Sequence, residues 1–223
     1  DEADSNAFLN NVQIPNRGLI YDRNNNLYMS VTPTGDTTHY FYDNRGNLCN
    51  TIHPSGREVT VLYDSLDRIT RVSDQMGVIK NYTYDAVGNL IRVIDGEGNI
   101  VTYTYDALNR LISQNNNGSV DSYTYDLAGN MLTHTDALNH TTTYVYDLLG
   151  NLTSTTDALG NTTSYTYDAM GNLATETDAK NQTTTYQYNL NGIRTRITFP
   201  NGRSRQFFYN DRGLLAREKD EAD

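Results

Sequence analysis

Several residue types that hold other small folds together are scarce in this sequence of 223 residues. Cys49 is the only cysteine, so no internal disulfide can form and the fold must hold without one. Tryptophan is absent, phenylalanine occurs five times, and no apolar run approaches the length of a membrane-spanning helix. Hydrophobic residues make up 37% of the chain, which is low for a filled interior and predicts a thin layer instead.

Positive charge is also scarce, with 17 Lys and Arg against 27 Asp and Glu and a net charge of -10. Nucleic-acid binding normally requires a basic face, so this balance argues against it. The basic residues are concentrated in residues 194–219, whereas residues 121–189 contain only Lys180. This asymmetry predicts solvated faces of different charge; the alternative is a basic end that meets an acidic flank of a neighbouring chain or module.

What the sequence has in abundance is tyrosine, and the tyrosines recur at a fixed interval. A Tyr-Asp step, replaced by Tyr-Asn in the last two copies, returns every 21 residues except for one interval of 20 between Tyr105 and Tyr125. A constant period of this length is typical of repeat architectures. We predict a single array of ten repeats over residues 13–220, with residues 1–12 as a lead-in or expression-tag remnant and 221–223 as a tail. No secretory leader is visible.

Each repeat alternates aromatic and small polar residues, as in Tyr165 to Tyr167, which indicates a strand with two different faces. Residues 168–172 then form a turn signal, since Asp bonds nearby backbone and Gly accepts positive φ. A second short run and a second turn complete the unit. The prediction is an all-β chain of about twenty short strands in serial antiparallel hairpins. Because long sheets curl, we expect a curved, spiralling ribbon that forms a partial shell.

The odd repeat length constrains which side chains share a face. We expect the second turn to restore the alternation, with four residues between Asp178 and Thr183. The short repeat predicts a bulge or altered turn between Ser113 and Val120. On this register one face, predicted to be the inner one, carries Tyr165, Tyr167, Leu173 and Thr175, and the opposite face carries Ser164, Thr166, Ala174 and Glu176.

No group of residues predicts catalysis, a cofactor or a metal. The repeated aspartates suit turns better than calcium, because one carboxylate per loop does not supply the six to eight oxygens that calcium needs. His134 and His140 flank one turn, but they lack a spacing typical of metal sites. Cys49 and His53 lie along a strand, well apart, and nothing marks an oxyanion hole. We predict no enzymatic activity.

Tyrosine also allows a second interpretation, in which exposed rings stack on sugars. If the tyrosine face is covered, the rings only pack in the interior and cannot bind a sugar. The candidate stacking residues are Tyr103, Tyr144 and Tyr165.

The Tyr-x-Tyr-Asp-x-x-Gly-Asn-Leu unit is intact at residues 82–90, 144–152 and 165–173. These units resemble the YD repeats of the Rhs family, and the resemblance covers about residues 19–220. The resemblance implies a β-ribbon that spirals into a hollow shell, which in several bacterial members encloses a C-terminal toxin or effector. It also implies a secreted or surface-displayed protein.

These features together predict a non-catalytic structural scaffold, a segment of a β-shell or surface stalk. Its expected partners are the rest of a parent protein, meaning further repeats and an effector. The alternative function is a carbohydrate- or cell-surface-binding module. Open ribbon edges also predict edge-to-edge self-association, which light scattering would detect as species larger than a monomer.

Overall fold

The computed structural model describes residues 18–221, and these residues form twenty β-strands and no helix. The predicted lead-in at residues 1–12 lies outside this range. Contacts divide the chain into two compact units, the first ending at Tyr103 and the second beginning at Thr104. The all-β class and the serial antiparallel hairpins are confirmed.

In the first unit, each strand pairs with the next in the chain, antiparallel throughout. Its strands are short because a turn interrupts the chain about every ten residues. They are β1 (Gly18–Tyr21), β2 (Leu27–Val31), β3 (Thr37–Tyr42), β4 (Leu48–Ile52), β5 (Glu58–Tyr63), β6 (Ile69–Asp74), β7 (Gly77–Tyr84), β8 (Leu90–Asp95) and β9 (Ile100–Tyr105), the last of which contains the division point.

The second unit continues the same pattern of sequential antiparallel pairing. Its final strand pairs only with the one before it and leaves an open edge. The strands are β10 (Leu111–Asn116), β11 (Ser119–Tyr125), β12 (Met131–Thr135), β13 (Thr141–Tyr146), β14 (Leu152–Thr156), β15 (Thr162–Tyr167), β16 (Leu173–Thr177), β17 (Thr183–Tyr188), β18 (Arg194–Thr198), β19 (Ser204–Tyr209) and β20 (Leu215–Glu221).

A recurrent β-bulge sets the register of each tyrosine hairpin. Between β15 and β16, Tyr167 lies opposite Leu173, but Thr166 lies opposite Thr175, so Ala174 has no partner. The same shift occurs next to the tyrosine in the other tyrosine hairpins for which the register is given. One unpaired residue per repeat makes 21 residues compatible with a constant tyrosine face.

The bulge corrects two of our predictions. Thr175 lies on the face that carries Thr166, which we call the threonine face, and not beside the tyrosines. Its hydroxyl is 2.6 Å from that of Thr166. Glu176 lies opposite Tyr165, on the tyrosine face, and accepts a hydrogen bond of 3.0 Å from the Tyr186 hydroxyl. The prediction that a four-residue second turn restores the alternation is also wrong. Residues 178–182 give five residues between the paired Thr177 and Thr183, and the bulge restores the alternation instead.

The short repeat contains the altered turn that its length predicts. Asn116 lies opposite Ser119, so the hairpin closes with only Asn117 and Gly118. Both have positive φ, 50° and 98°, which is the backbone of a tight two-residue hairpin turn. The sequence predicts a bulge or an altered turn between Ser113 and Val120. The altered turn is confirmed, and this hairpin contains no bulge.

Burial is shallow, as expected for a thin layer. Among the described residues only Met29, Val31 and Ser204 are buried, and all three lie on the threonine face in the outer repeats. Tyr21 is exposed and the other tyrosines are half-buried, whereas the residue between the two tyrosines of a repeat is exposed, as at Thr166. The stability of each unit must therefore come largely from pairing and turns rather than from an enclosed core.

The turn conformation gives a test at Gly171, whose φ of 82° is left-handed and whose Cβ position has no atom within 4 Å. Gly171→Val should lower the free energy of unfolding by about 1–2 kcal/mol, because a branched side chain resists this backbone. Gly171→Asn should cost little, because Asn109, Asn139 and Asn181 adopt the same left-handed conformation in other turns. Urea unfolding measures both, and equal losses for the two variants would contradict this account.

Candidate functional site

The most regular feature of this chain is the turn that follows each tyrosine strand. At residues 168–172 the Asp168 amide donates to the Asn172 carbonyl, and the Gly171 amide donates to the Asp168 carbonyl. Oδ1 of Asp168 accepts the amides of Met170 and Asn172, each at 2.9 Å. Oδ2 accepts Nδ2 of Asn172 at 3.0 Å. One carboxylate thus accepts hydrogen bonds from both the backbone and a side chain of its own loop. We call this arrangement the aspartate clasp.

The clasp recurs at both ends of the strands. Oδ1 accepts the amide four residues later at Asp22, Asp43, Asp64, Asp85, Asp95, Asp106, Asp126, Asp136, Asp147, Asp157 and Asp178. Asn189 and Asn210 accept the same backbone bonds through their amide oxygens. These side-chain oxygens are therefore occupied by turn formation.

The hydrogen bonds of the clasp also lower the pKa of its aspartate, as three examples show. Hydrogen bonds from the Asn172 side chain and backbone hold the pKa of Asp168 below its ordinary value. The pKa of Asp147 and of Asp157 is lowered for the same reason, by Asn151 and Asn161 respectively. Donation to the charged form favours that form, so the clasp is strongest when the aspartate is ionised.

Arginine replaces asparagine at two clasps, a feature that periodicity alone did not reveal. Arg68 lies 2.7 Å from Asp64 and its guanidinium sits 4.6 Å from the Tyr84 ring centre. Arg110 pairs with Asp106 and stacks in the same way on the Tyr125 ring of the next repeat. Each arginine therefore joins a clasp to the following repeat.

A tyrosine hydroxyl provides a second link between consecutive repeats. Tyr167 donates to the Leu152 carbonyl at 2.8 Å, at the start of the preceding strand. Burial raises the pKa of Tyr167, which keeps the donor protonated. Five further tyrosines make the same bond about 15 residues back: Tyr42, Tyr63, Tyr84, Tyr125 and Tyr209.

The three predicted stacking residues occupy the other tyrosine position of the repeat. Tyr103, Tyr144 and Tyr165 are half-buried strand residues, and each is followed two positions later by the second tyrosine. Within the described chain their hydroxyls have no hydrogen-bond partner, unlike that of Tyr167. In the second unit, Tyr144 lies on β13 and Tyr165 on β15, with β14 between them.

The candidate nucleophile and imidazoles do not form a reactive group. Cys49 is half-buried, with Sγ 3.5 Å from the Phe41 carbonyl oxygen. His140 contacts Asp136 at 3.0 Å within a clasp, and His134 stacks on Tyr123 with ring centres 5.0 Å apart. Residues 18–221 contain no group of three or more His, Cys, Asp or Glu that could hold a metal ion.

Two family models cover nearly the whole chain. The Teneurin YD-shell model matches residues 6–125, more than half of the sequence. The chain belongs to the RHS/YD-repeat family. The RHS repeat model matches residues 125–162, 146–183 and 171–204 of this YD-repeat chain. The resemblance inferred from the tyrosine motif is therefore confirmed.

Solved toxin structures share the fold. The TcdB2-TccC3 complex is 18% identical with a TM-score of 0.76, and TcdB2-TccC3-Cdc42 is 17% identical with the same score. Both matches cover 99% of this chain and 13% of that chain. The Photorhabdus luminescens Tc holotoxin pore is 19% identical, with a TM-score of 0.55 over 83% of this chain and 13% of that chain.

The likeness to these toxin structures is one of fold. Identities below one fifth show a common architecture, and the YD-repeat chain spans only 13% of the length of these toxin chains. Among curated proteins none matches the chain. None of the described residues forms a helix suited to crossing a membrane.

Acid should weaken the YD turns. The pKa of Asp147, of Asp157 and of Asp168 is lower in the folded chain, so the stabilisation from these clasps is complete above the unfolded pKa of about 4 and is lost as pH falls through the folded value. The melting temperature should be flat from about pH 7 to pH 5 and should fall below about pH 4.

A triple variant provides the control for this acid effect. Replacing Asp147, Asp157 and Asp168 with Asn keeps the backbone bonds that Asn189 makes, but it removes three titrating groups. This variant should melt lower at pH 7 and lose less on acidification, as followed by circular dichroism. An acid loss identical to that of the parent sequence would contradict the role of the carboxylates.

Proposed function

We propose that this chain is a non-catalytic structural scaffold, a segment of the wall of a YD-repeat shell. The observation that carries the proposal is the match of 99% of the chain, at a TM-score of 0.76, to part of the TcdB2-TccC3 chain. A wall segment is expected to be a small share of a large protein, and this match covers 13% of that chain.

The way in which the sheet is stabilised supports a wall. Clasps and tyrosine hydroxyl bonds act within a repeat or between consecutive repeats, so the array can be extended without a larger core. The sheet has few buried side chains among the described residues, and the clasp carboxylates are engaged in turns. A layer of this kind suits a boundary better than a reaction chamber.

We extend the proposal to the parent protein, in which further repeats join this segment and enclose or display a C-terminal effector. Such a protein is secreted or held at the cell surface. The open edge of β20 supports pairing with further strands or with a second copy, although its alternating charges at Arg217, Glu218 and Lys219 restrain unselective pairing.

Protease protection in the complete parent protein tests enclosure. A segment that follows the repeats should be cleaved much more slowly in the parent than when expressed alone. Asp126→Ala, Asp147→Ala and Asp168→Ala together should speed that cleavage, because three clasps are lost. Ala169→Ser, at an exposed turn position, is the control and should leave the rate unchanged. Equal rates for the attached and the free segment would refute enclosure.

A second candidate function is binding of carbohydrate on the tyrosine face. The observation in its favour is the set of unused hydroxyls on half-buried rings at Tyr103, Tyr144 and Tyr165. A ring of this kind offers an apolar face and a hydrogen-bonding group to a sugar.

A glycan array screened with the purified chain tests this alternative. A specific hit should weaken by roughly tenfold in Tyr144→Ala or Tyr165→Ala, as expected when a stacked ring is lost. Tyr28→Ala is the matched control, because that ring lies near Phe41 on the opposite face. A hit that persists in both variants, or no hit, would exclude the tyrosine face as a sugar site.

A further inference from the structure

The turn at residues 199–203 lacks an aspartate clasp, as does the turn at residues 53–57, where His53 occupies the same position of the repeat. Phe199 stands where the three preceding repeats have Asp136, Asp157 and Asp178. The turn backbone is unchanged, since the Phe199 amide donates to the Arg203 carbonyl at 2.8 Å and the Gly202 amide donates to the Phe199 carbonyl at 3.0 Å. The phenyl ring accepts none of the turn bonds that an aspartate accepts, and 39% of its surface is exposed. The backbone of this turn therefore forms without an aspartate, and the side chain at position 199 takes no part in it.

Two clefts flank this ring. The larger, of about 630 Å³, lies between Phe199 and the neighbouring turn at residues 181–183. The smaller, of about 240 Å³, lies between Phe199 and the side of Arg203, Arg205 and Asp220. Phe199 and Asn201 line both clefts. The larger volume is within the range of small-molecule sites.

The larger cleft is lined by amides that the turns do not use. At the two preceding turns of this edge, His140 and Asn161 bond the carboxylate of their own clasp through their side chains. Gln182, at the same position, gives Asp178 only its backbone amide. Within the described chain the side-chain amides of Gln182 and Asn181 have no hydrogen-bond partner. They are available to a ligand in the cleft.

The smaller cleft carries one uncompensated cation. Arg205 pairs with Asp220 at 2.7 Å, so the acid in this cleft is already engaged. The Arg203 guanidinium is exposed and has no partner among residues 18–221. Buried Ser204 also lines this cleft, and its hydroxyl accepts a hydrogen bond of 2.8 Å from Arg196.

We propose that the two clefts around Phe199 form a binding site for an acidic carbohydrate, a uronic or sialic acid residue. The phenyl ring stacks on the apolar face of the sugar, Asn181 and Gln182 bond its hydroxyls, and Arg203 binds its carboxylate. One unpaired arginine in the cleft, on a chain of net charge -10, suits one carboxylate and disfavours polyanions. The site is independent of the scaffold role, and the residues that line the two clefts do not include Tyr103, Tyr144 or Tyr165.

Saturation-transfer NMR and calorimetry with the complete chain test this site, using glucuronic acid, N-acetylneuraminic acid and neutral glucose as probes. At least one acidic sugar should bind about tenfold or more tightly than glucose, the effect of one added charged hydrogen bond. Phe199→Ala and Arg203→Gln should each weaken binding by about tenfold or more, and Phe199→Tyr should retain it.

Matched variants separate this site from the tyrosine face and from a general effect of exposed side chains. Leu159→Ala removes an exposed side chain from an equivalent turn, and Arg212→Gln removes an exposed arginine elsewhere, and both should bind normally. Tyr165→Ala should also bind normally, because its ring belongs to the tyrosine face. The proposal is overturned if no acidic sugar binds, if glucose binds equally well, or if Arg203→Gln has no effect while its melting curve is unchanged. Binding of an acidic peptide without any sugar binding would overturn it as well.

Discussion

The structure depends on the hydrogen bonds that a turn side chain accepts from its own loop. In a sheet with almost no enclosed interior among its described residues, a loose turn cannot be compensated by packing. The carboxylate of Asp168 receives two backbone amides and one side-chain amide, so the loop has little freedom to change length or register. Because this turn is repeated along the chain, an acidic sequence with few hydrophobic residues can form an ordered sheet.

The clasp explains why the repeat tolerates some changes and not others. Asparagine at 189 and 210 keeps the oxygen that accepts backbone amides, and Arg68 keeps a donor to the carboxylate while adding a contact to the next ring. The tyrosine hydroxyl has a comparable role between repeats, since it bonds a carbonyl at the start of the preceding strand. Each substitution preserves donors and acceptors rather than side-chain shape.

The turn at Phe199 is informative because it departs from this rule without losing the turn. Asn201 accepts the Arg203 amide at 3.1 Å, and the backbone bonds of the loop remain. The side chains of Phe199 and Gln182 therefore make none of the hydrogen bonds that hold these turns. A regular array can carry a site in this way, because one altered loop does not disturb its neighbours.

Local chemistry in the sequence determined the strand number, the antiparallel hairpins and the turn positions, since Asp, Gly and Asn act on the few residues around them. The tertiary structure alone decided which side chains share a face. The bulge at Ala174 moves Thr175 and Glu176 to faces opposite to those that simple alternation predicts, and it depends on bonds between strands that a spacing of 21 does not reveal. The clefts beside Phe199 likewise exist only once two neighbouring turns are placed side by side.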